Sequence, residues 1–354
     1  MSSPGFALVL GVTGVTGTPF AEQLLAAGWT VYGVSRRPPE LKPGTPLAGF
    51  WHLPIDLQNA AALDDALRSA VGITHVFHCA NAGSGDARLQ MMSNLLDALE
   101  RRAANFRNIS VLQGMKYYGC HLGPFRTPAR EDDPRPADNA FYNDEEDLIG
   151  RRQSGKSWRW TALRPHSVCG YAAGNPLNLA LALAVYGSLR RELGEPFSFP
   201  ATAACFHSLF QVMDAEMLAR AAIHVATQPA CANTVFNVSN GDIFRWQNLW
   251  PSLAGFFGLA AAGPGQQLLA DFFARHQCTW ERLARKHDLR PFPFGRLAAW
   301  VRGDYTAPNS RFAAEYDIIA DTVKIRRAGF AEAESSEAMF LRLFARYRAE
   351  RIIP

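Results

Sequence analysis

Two hydrophobic patterns take turns along the first half of the chain. Short, nearly unbroken apolar runs alternate with stretches in which apolar residues recur at helical spacing. "FALVLGV" (6–12) is the first run; bounded by glycines, it suits a strand covered on both faces. "PFAEQLLAAG" (19–28) has the helical period and stops at Gly28, a C-terminal cap signal. Further strands are expected over 30–35, 50–57, 74–80, 107–114 and 158–165, and helices over 59–70, 87–103 and 141–153. Strand and helix in strict turn, with short connections, mean a parallel sheet with helices on both faces. Right-handed crossovers make that an α/β fold of the doubly wound, Rossmann type.

After Arg164 the alternation loosens. Segment 170–204 is rich in Gly, Ala and Pro around one long apolar helix, 214–227 reads as helix, and 234–241 as a late strand. From 246 onward the pattern is mostly helical and aromatic-rich. The expected plan is a sheet domain over 1–169, with 205–240 returning to it, and a smaller, mostly helical cap from 170–204 and 241–354. The chain's 354 residues fit one large domain or two intimate ones. Its net charge of +4 is scattered, which argues against a nucleic-acid partner. Six cysteines stand singly, with no CxxC pair and no signal peptide, so reduced thiols and a cytoplasmic location are expected. The longest apolar stretch, "LNLALALAVYGSL" (177–189), falls short of the ~18 residues that span a bilayer.

"GVTGVTG" sets Gly11, Gly14 and Gly17 in steps of three between the first strand and the first helix. Glycines allow the tight turn and the close approach of backbone to a pyrophosphate, and the helix N-terminus behind it supplies N–H groups and positive dipole. Thr13 and Val15 lie in the same loop. A cofactor with a free 2′-hydroxyl calls for a carboxylate about 20 residues further on. That place reads Ser35-Arg36-Arg37, and guanidinium forks match a phosphate, so NADP(H) is expected. The same residues also read as a solvated basic turn before Pro38-Pro39. Asp56 and Leu57, after the third strand, are placed to meet the adenine. "HCANAG" (78–83), including Ala80, is placed to line the middle of the cofactor.

Many dinucleotide-binding reductases use Tyr-x-x-x-Lys on one helix, the ammonium lowering the phenol pKa so that it can give or take a proton. That spacing is absent here. Tyr142 opens a helix, "FYNDEEDL", but four residues on stands Glu146. Only five of the 36 basic residues are lysines, and Lys116 falls just past the fifth strand, at the end of the sheet where ligands bind. Lys116 and Tyr142 can therefore meet at one site although they are remote in sequence. On the residues alone, Lys116 also reads as an exposed loop lysine, and Tyr142 as a core aromatic. His166 reads better as a structural histidine than as a ligand contact. Tyr117, Tyr118, Phe125, Phe206 and Trp300 could form an apolar pocket, though each alone is more often core.

Taken together, "GVTGVTG", "VSRRPP", "LQGMKYYG…GPF", "FYNDEEDL", "LRPHSVCGY", "FNVSNGDIFRWQNLW" and "RIIP" resemble the progesterone 5β-reductase/iridoid synthase family of short-chain reductases, block by block along the whole chain. The resemblance implies an NADPH-dependent reductase of C=C bonds conjugated to a carbonyl. It puts the catalytic lysine at Lys116, the catalytic tyrosine at Tyr142, the pair on the 2′-phosphate at Arg36 and Arg37, and a pocket segment at Gly123, Pro124 and Phe125. Pro165, Ser167 and Val168, after the sixth strand, join the expected cofactor contacts. The implied partner is a small hydrophobic enone or enal, and the helices at 87–103 and 141–153 suggest a homodimer by analogy. The chain departs from the pattern at Asn143, at the missing threonine of "LQGMKYY", at the extra residues Cys120 to Leu122, and over 201–213. These positions border the expected pocket and bear on substrate choice.

Other readings stay open on the sequence. The same tyrosine could protonate an oxygen while hydride attacks the carbonyl carbon, giving an alcohol. A nucleotide-sugar epimerase of the extended short-chain type would want the missing Tyr-x-x-x-Lys. A redox sensor would keep the glycine loop and dispense with the Lys/Tyr pair.

Overall fold

The computed structural model describes residues 4–80, 85–136, 140–172, 178–265, 268–305 and 314–354. The first half alternates as the hydrophobic pattern predicts, except that the second strand reaches the third through a loop and a 3-10 turn, Leu47–Gly49, rather than a helix. β1 (Phe6–Leu10) leads into α1 (Gly17–Ala26), then β2 (Thr30–Val34), β3 (Phe50–Leu53), α2 (Ala60–Ser69), β4 (His75–His78), α3 (Gly85–Arg102), β5 (Asn108–Leu112), α4 (Ala140–Gln153) and β6 (Arg159–Pro165). The third strand ends at Leu53, short of the expected 57, because Pro54 has no N–H to offer a ladder. Next come β7 (Ser167–Cys169), α5 (Leu179–Leu193), β8 (Phe197–Phe199), α6 (Ala203–His207), β9 (Leu209–Phe210), β10 (Val212–Asp214), α7 (Ala215–Thr227) and β11 (Thr234–Val238). The remainder is β12 (Phe244–Arg245), α8 (Trp246–Phe256), β13 (Ala261–Pro264), α9 (Leu269–Lys286), α10 (Phe294–Tyr305), α11 (Val323–Arg327) and α12 (Ser336–Ala349).

Seven parallel strands form the sheet, in the order β11-β6-β5-β4-β1-β2-β3. Ala7 to Leu10 are wholly buried, which is why that strand is an unbroken apolar run rather than an alternating one. One face carries α1 and α7 over a core that includes Phe20, Leu24, Phe77 and Leu218. The other face carries α2, α3 and α4 over Leu63, Leu95, Leu99 and Ile149. A third core, built by α5, α8, α9 and α12 and rich in stacked aromatics, lies under the C-terminal part. Small two-stranded pairings, β10 with β7, β12 with β9 and β13 with β8, stitch that part together. Their strands run only two to four residues, too short to leave a periodic signal in the sequence.

The strand order reverses at β1, which has β2 on one side and β4 on the other. In open sheets of this kind a crevice forms outside the carboxyl ends of the strands at that reversal. No helix among the described residues is long and apolar enough to cross a membrane.

Candidate functional site

A cavity of about 430 Å³ occupies that crevice. Gly11, Thr13, Gly14, Val15 and Thr16 line it after β1, Val34 to Arg37 after β2, Ile55 to Gln58 after β3, and Cys79 and Ala80 after β4, with Met91 reaching in from α3. Ten of the expected contacts are among them: Gly11, Thr13, Gly14, Val15, Ser35, Arg36, Arg37, Asp56, Leu57 and Ala80. Asn81, Ala82 and Gly83, the rest of the expected segment after β4, lie outside the described residues.

The cavity is shaped by glycine. Gly11 turns at φ +76°, and a methyl group there would meet Ala80 backbone at 2.9 Å. Gly17 does not line the cavity. It opens α1 so tightly against the loop that a Cβ would fall 2.2 Å from the Gly11 carbonyl oxygen. The Gly14 N–H donates to Gly11 O at 3.0 Å, and the Thr18 hydroxyl donates to Val12 O at 2.9 Å, closing the turn. The helix N-terminus thus starts directly behind a floor of bare backbone, a fitting cradle for phosphate. At the far end the Ser35 hydroxyl donates to Arg37 O at 2.6 Å, and His52 Nε2 lies 3.1 Å from both Ser35 oxygens, so the arginine turn is held in shape. Arg36 and Arg37 are exposed and face the cavity mouth.

Beyond β5 the chain makes a short 3-10 helix, Met115–Tyr118, closed by Gly119 in the left-handed conformation. Lys116 is half-buried on it. Tyr142, 9% exposed, stands in the first turn of α4, which packs against this 3-10 helix. The expected pair therefore sits on two touching elements, at the strand ends next to the cavity's β4 wall. Neither residue lines the cavity itself.

Sequence reading missed what clamps those elements together. Arg164, 1% exposed at the end of β6, donates from Nε to Gln113 Oε1 at 2.8 Å, from Nη1 to the Tyr118 hydroxyl at 3.1 Å, and from Nη2 to Glu146 Oε2 at 3.0 Å. Its guanidinium carbon lies 3.3 Å from the Tyr117 ring centroid. Gln113 Nε2 donates to the same Glu146 oxygen at 2.9 Å, and Arg135 reaches the other at 2.8 Å. Burial opposes ionisation of Glu146, but the Arg164 charge and the Gln113 and Arg135 hydrogen bonds outweigh it and hold its pKa below the usual value. Glu146 thus binds the 3-10 helix to α4 from the position that Tyr-x-x-x-Lys enzymes give to lysine. Polar residues at the ends of apolar strands, Gln113 and Arg164, were the available signal.

The expected pocket residues fare differently from one another. Tyr118 is turned inward: its hydroxyl donates to Asn237 Oδ1 at 2.6 Å, and burial pushes the phenol up to about 12. It belongs to the Arg164 clamp. Phe125 lies against Tyr316, whose hydroxyl donates to Cys120 O at 2.8 Å in the lengthened loop. Phe206 packs on Phe199 with ring centroids 4.8 Å apart, and Trp300 borders the same aromatic core. Pro165 closes β6, while Ser167 and Val168 lie in β7. A Cβ on Gly170, just past β7, would meet Val15 at 3.2 Å, so this strand's end abuts the glycine loop. His166 accepts from the Ser167 N–H at Nδ1, 2.7 Å, and lies 2.9 Å from Ile318 O at Nε2; a neutral, buried ring answers both contacts.

A family model for the PRISE-like Rossmann-fold domain matches residues 61–354. The chain belongs to that family. It is 28% identical to an (S)-8-oxocitronellyl enol synthase of Antirrhinum majus, over 98% of this chain and 92% of that one. It is 27% identical to a 3-oxo-Delta(4,5)-steroid 5-beta-reductase of Arabidopsis thaliana, over 98% and 93%. A short chain dehydrogenase, gsfE, of Penicillium aethiopicum is 29% identical over 99% and 100%. Among solved structures, a UDP-glucose 4-epimerase of Thermus thermophilus in complex with NAD superposes with a TM-score of 0.65 at 16% identity, over 97% of this chain and 99% of that one. A UDP-glucose 4-epimerase of Thermotoga maritima with UDP-glucose reaches 0.68 at 14%, over the same shares. At that identity the superpositions establish the fold alone.

Proposed function

We propose that the protein is an NADPH-dependent reductase of C=C bonds conjugated to a carbonyl. The observation that carries the reading is the placement of Lys116 and Tyr142 on packed elements beside a cavity floored by the glycine loop, in a chain whose relatives include an enol synthase and a steroid 5-beta-reductase.

The residues present suit the cofactor. Backbone bared by Gly11 and Gly14 would receive the pyrophosphate, with the start of α1, closed onto the loop at Gly17, behind it. Arg36 and Arg37 would fork onto a 2′-phosphate; no acidic residue follows β2 directly to take a free hydroxyl instead. Asp56 and Leu57 would border the adenine, and Ala80 the ribose and pyrophosphate. Lys116 would hold the second ribose. Pro165 at the end of β6, with Ser167 and Val168 in β7, would add contacts from the neighbouring strands, where Gly170 just past β7 abuts the glycine loop. Bound there, NADPH supplies a hydride and leaves as NADP+.

The work left to the chain is at the substrate oxygen. As the β carbon gains hydrogen, the electron pair of the C=C bond moves toward the carbonyl, negative charge builds on its oxygen, and the enolate then takes a proton from solvent at the α carbon to give the saturated carbonyl. The Tyr142 hydroxyl donates a hydrogen bond to that oxygen. Lys116 favours charge on the phenol and so strengthens the donor. A donor aimed where charge develops contributes roughly 3–4 kcal/mol to the transition state. Apolar side chains bordering the aromatic core, Phe125, Phe206 and Trp300 among them, suit a small hydrophobic enone or enal.

The test is to compare wild type with Tyr142→Phe and Lys116→Met on enones such as 2-cyclohexenone, reading NADPH consumption and the product. Tyr142→Phe is expected to lose about 100- to 1,000-fold in kcat with its Kd for NADPH within about threefold of wild type. Unchanged turnover in Tyr142→Phe would remove that residue from the mechanism. An allylic alcohol product would mean carbonyl reduction, and NADPH binding without turnover of any enone or enal would favour a sensor.

A further inference from the structure

α4 carries two adjacent carboxylates that go opposite ways. Glu146 meets the Arg164 clamp, whereas Glu145 turns to α3 and receives Arg88 Nη2 at 2.8 Å. Both partners of the second pair are sealed from water, Glu145 at 1% and Arg88 at 5% exposure. The Arg88 guanidinium carbon lies 5.0 Å from the centroid of the Tyr142 ring. Tyr142 and Glu145 are one turn apart on α4, so the carboxylate sets the arginine against the face of the phenol.

A buried ion pair is a poor way to stabilise a fold. Removing two charges from water costs about what their attraction returns, and apolar residues of like volume often serve as well or better. The Arg88–Glu145 pair therefore calls for another role, and the ring beneath its cation supplies one. A cation some 5 Å from a phenol favours the ionised form and grips the ring face.

We infer that Arg88, anchored by Glu145, is a positioning residue that fixes the Tyr142 ring and strengthens its hydroxyl as a donor. The inference rests on Tyr142 as the group at the substrate oxygen. Other charges stand on the elements packed about α4. α3 contributes Arg88, and its Asp86 lies with Asp144 of α4 along a groove between the two helices. β4 contributes His78, 3% exposed, whose pKa burial pushes down, with Glu145 pulling it back and Arg88 pushing it further, so the ring is neutral. The 3-10 helix contributes Lys116, and β6 contributes Arg164, whose charge is taken up by Glu146.

The test begins with cofactor-free protein. Phenolate absorbance titrated in wild type minus Tyr142→Phe isolates the ionisation of Tyr142. The same subtraction is made in an Arg88→Met/Glu145→Leu background, which removes both charges of the pair together. The Tyr142 midpoint is expected about one pH unit higher in that background. Its kcat on 2-cyclohexenone is expected about tenfold lower, with the descending, alkaline limb of the pH profile displaced upward by the same unit and the NADPH Kd within about threefold. Arg88→Lys, which keeps a cation there, is expected to restore most of the shift. Superimposable titrations and a wild-type kcat would overturn the inference. Should the double variant fail to fold, Glu145→Gln loosens the arginine without removing it; the midpoint and kcat are then expected to move at constant Kd, and wild-type values of both would overturn it. If Tyr142→Phe itself turns over normally, the proposed function fails, while the titration still decides whether Arg88 acts on the phenol.

Discussion

Gly17 has no room for a methyl group: its Cβ would fall 2.2 Å from a backbone oxygen that cannot rotate away. Gly17→Ala is expected to shift the loop, weaken NADPH binding at least about tenfold and cost about 1–3 kcal/mol of stability, read by calorimetry and cofactor titration. Arg36 and Arg37 make a different prediction. Each charge-assisted contact contributes about 1.5–3 kcal/mol, so Arg36→Ala and Arg37→Ala should each raise the KM for NADPH by about 10- to 100-fold. The KM for NADH should hardly change. Equal losses for both cofactors would move the arginines away from the 2′-phosphate. The glycine loop and the arginine turn were legible in the sequence because each lies within a few residues of one strand end. Met91 was not: it reaches the cavity from the middle of a helix, where an apolar residue at helical spacing carries no mark of what it faces.

At the scale of elements, α4 is the piece held from both flanks, by Arg164 on one and Arg88 on the other. Glu146→Gln would leave the Arg164 guanidinium buried without its carboxylate and is expected to destabilise the protein by about 3 kcal/mol in urea denaturation. Because that clamp also seats the 3-10 helix carrying Lys116, kcat on an enone should fall as well, with the NADPH Kd moving less. A variant of unchanged stability would mean that the clamp is slack in solution. The helix itself was plain in the sequence, and so was the lack of a lysine at 146. The reason for a glutamate there was not, since its partners lie 33 residues upstream at Gln113 and 18 downstream at Arg164. Tyr118 was hard to place for the same reason: an aromatic after a strand looks alike whether it lines a pocket or closes a clamp.

For the whole molecule, the parallel sheet followed from alternation, because a strand buried on both faces must be continuously apolar. The C-terminal part was less legible: its helices share one aromatic core, and its short strand pairs depend on contacts distant in sequence. The buried sheet also sets a pH response. Burial and the nearby Arg107 push His75 from its ordinary 6.5 down to about 4. Below 6.5 the unfolded chain takes up a proton that the folded chain refuses, so stability should fall as pH drops from 6.5 toward 4, by up to about 2–3 kcal/mol from this group. His75→Phe should flatten that part of the urea-midpoint curve; an unaltered slope would assign the loss to other groups. The central claim concerns where hydrogen goes. Turnover of an enone with NADPH carrying deuterium at the transferable position tests it most directly. The account predicts a saturated ketone labelled at the β carbon. Label on the carbinol carbon of an allylic alcohol would contradict it.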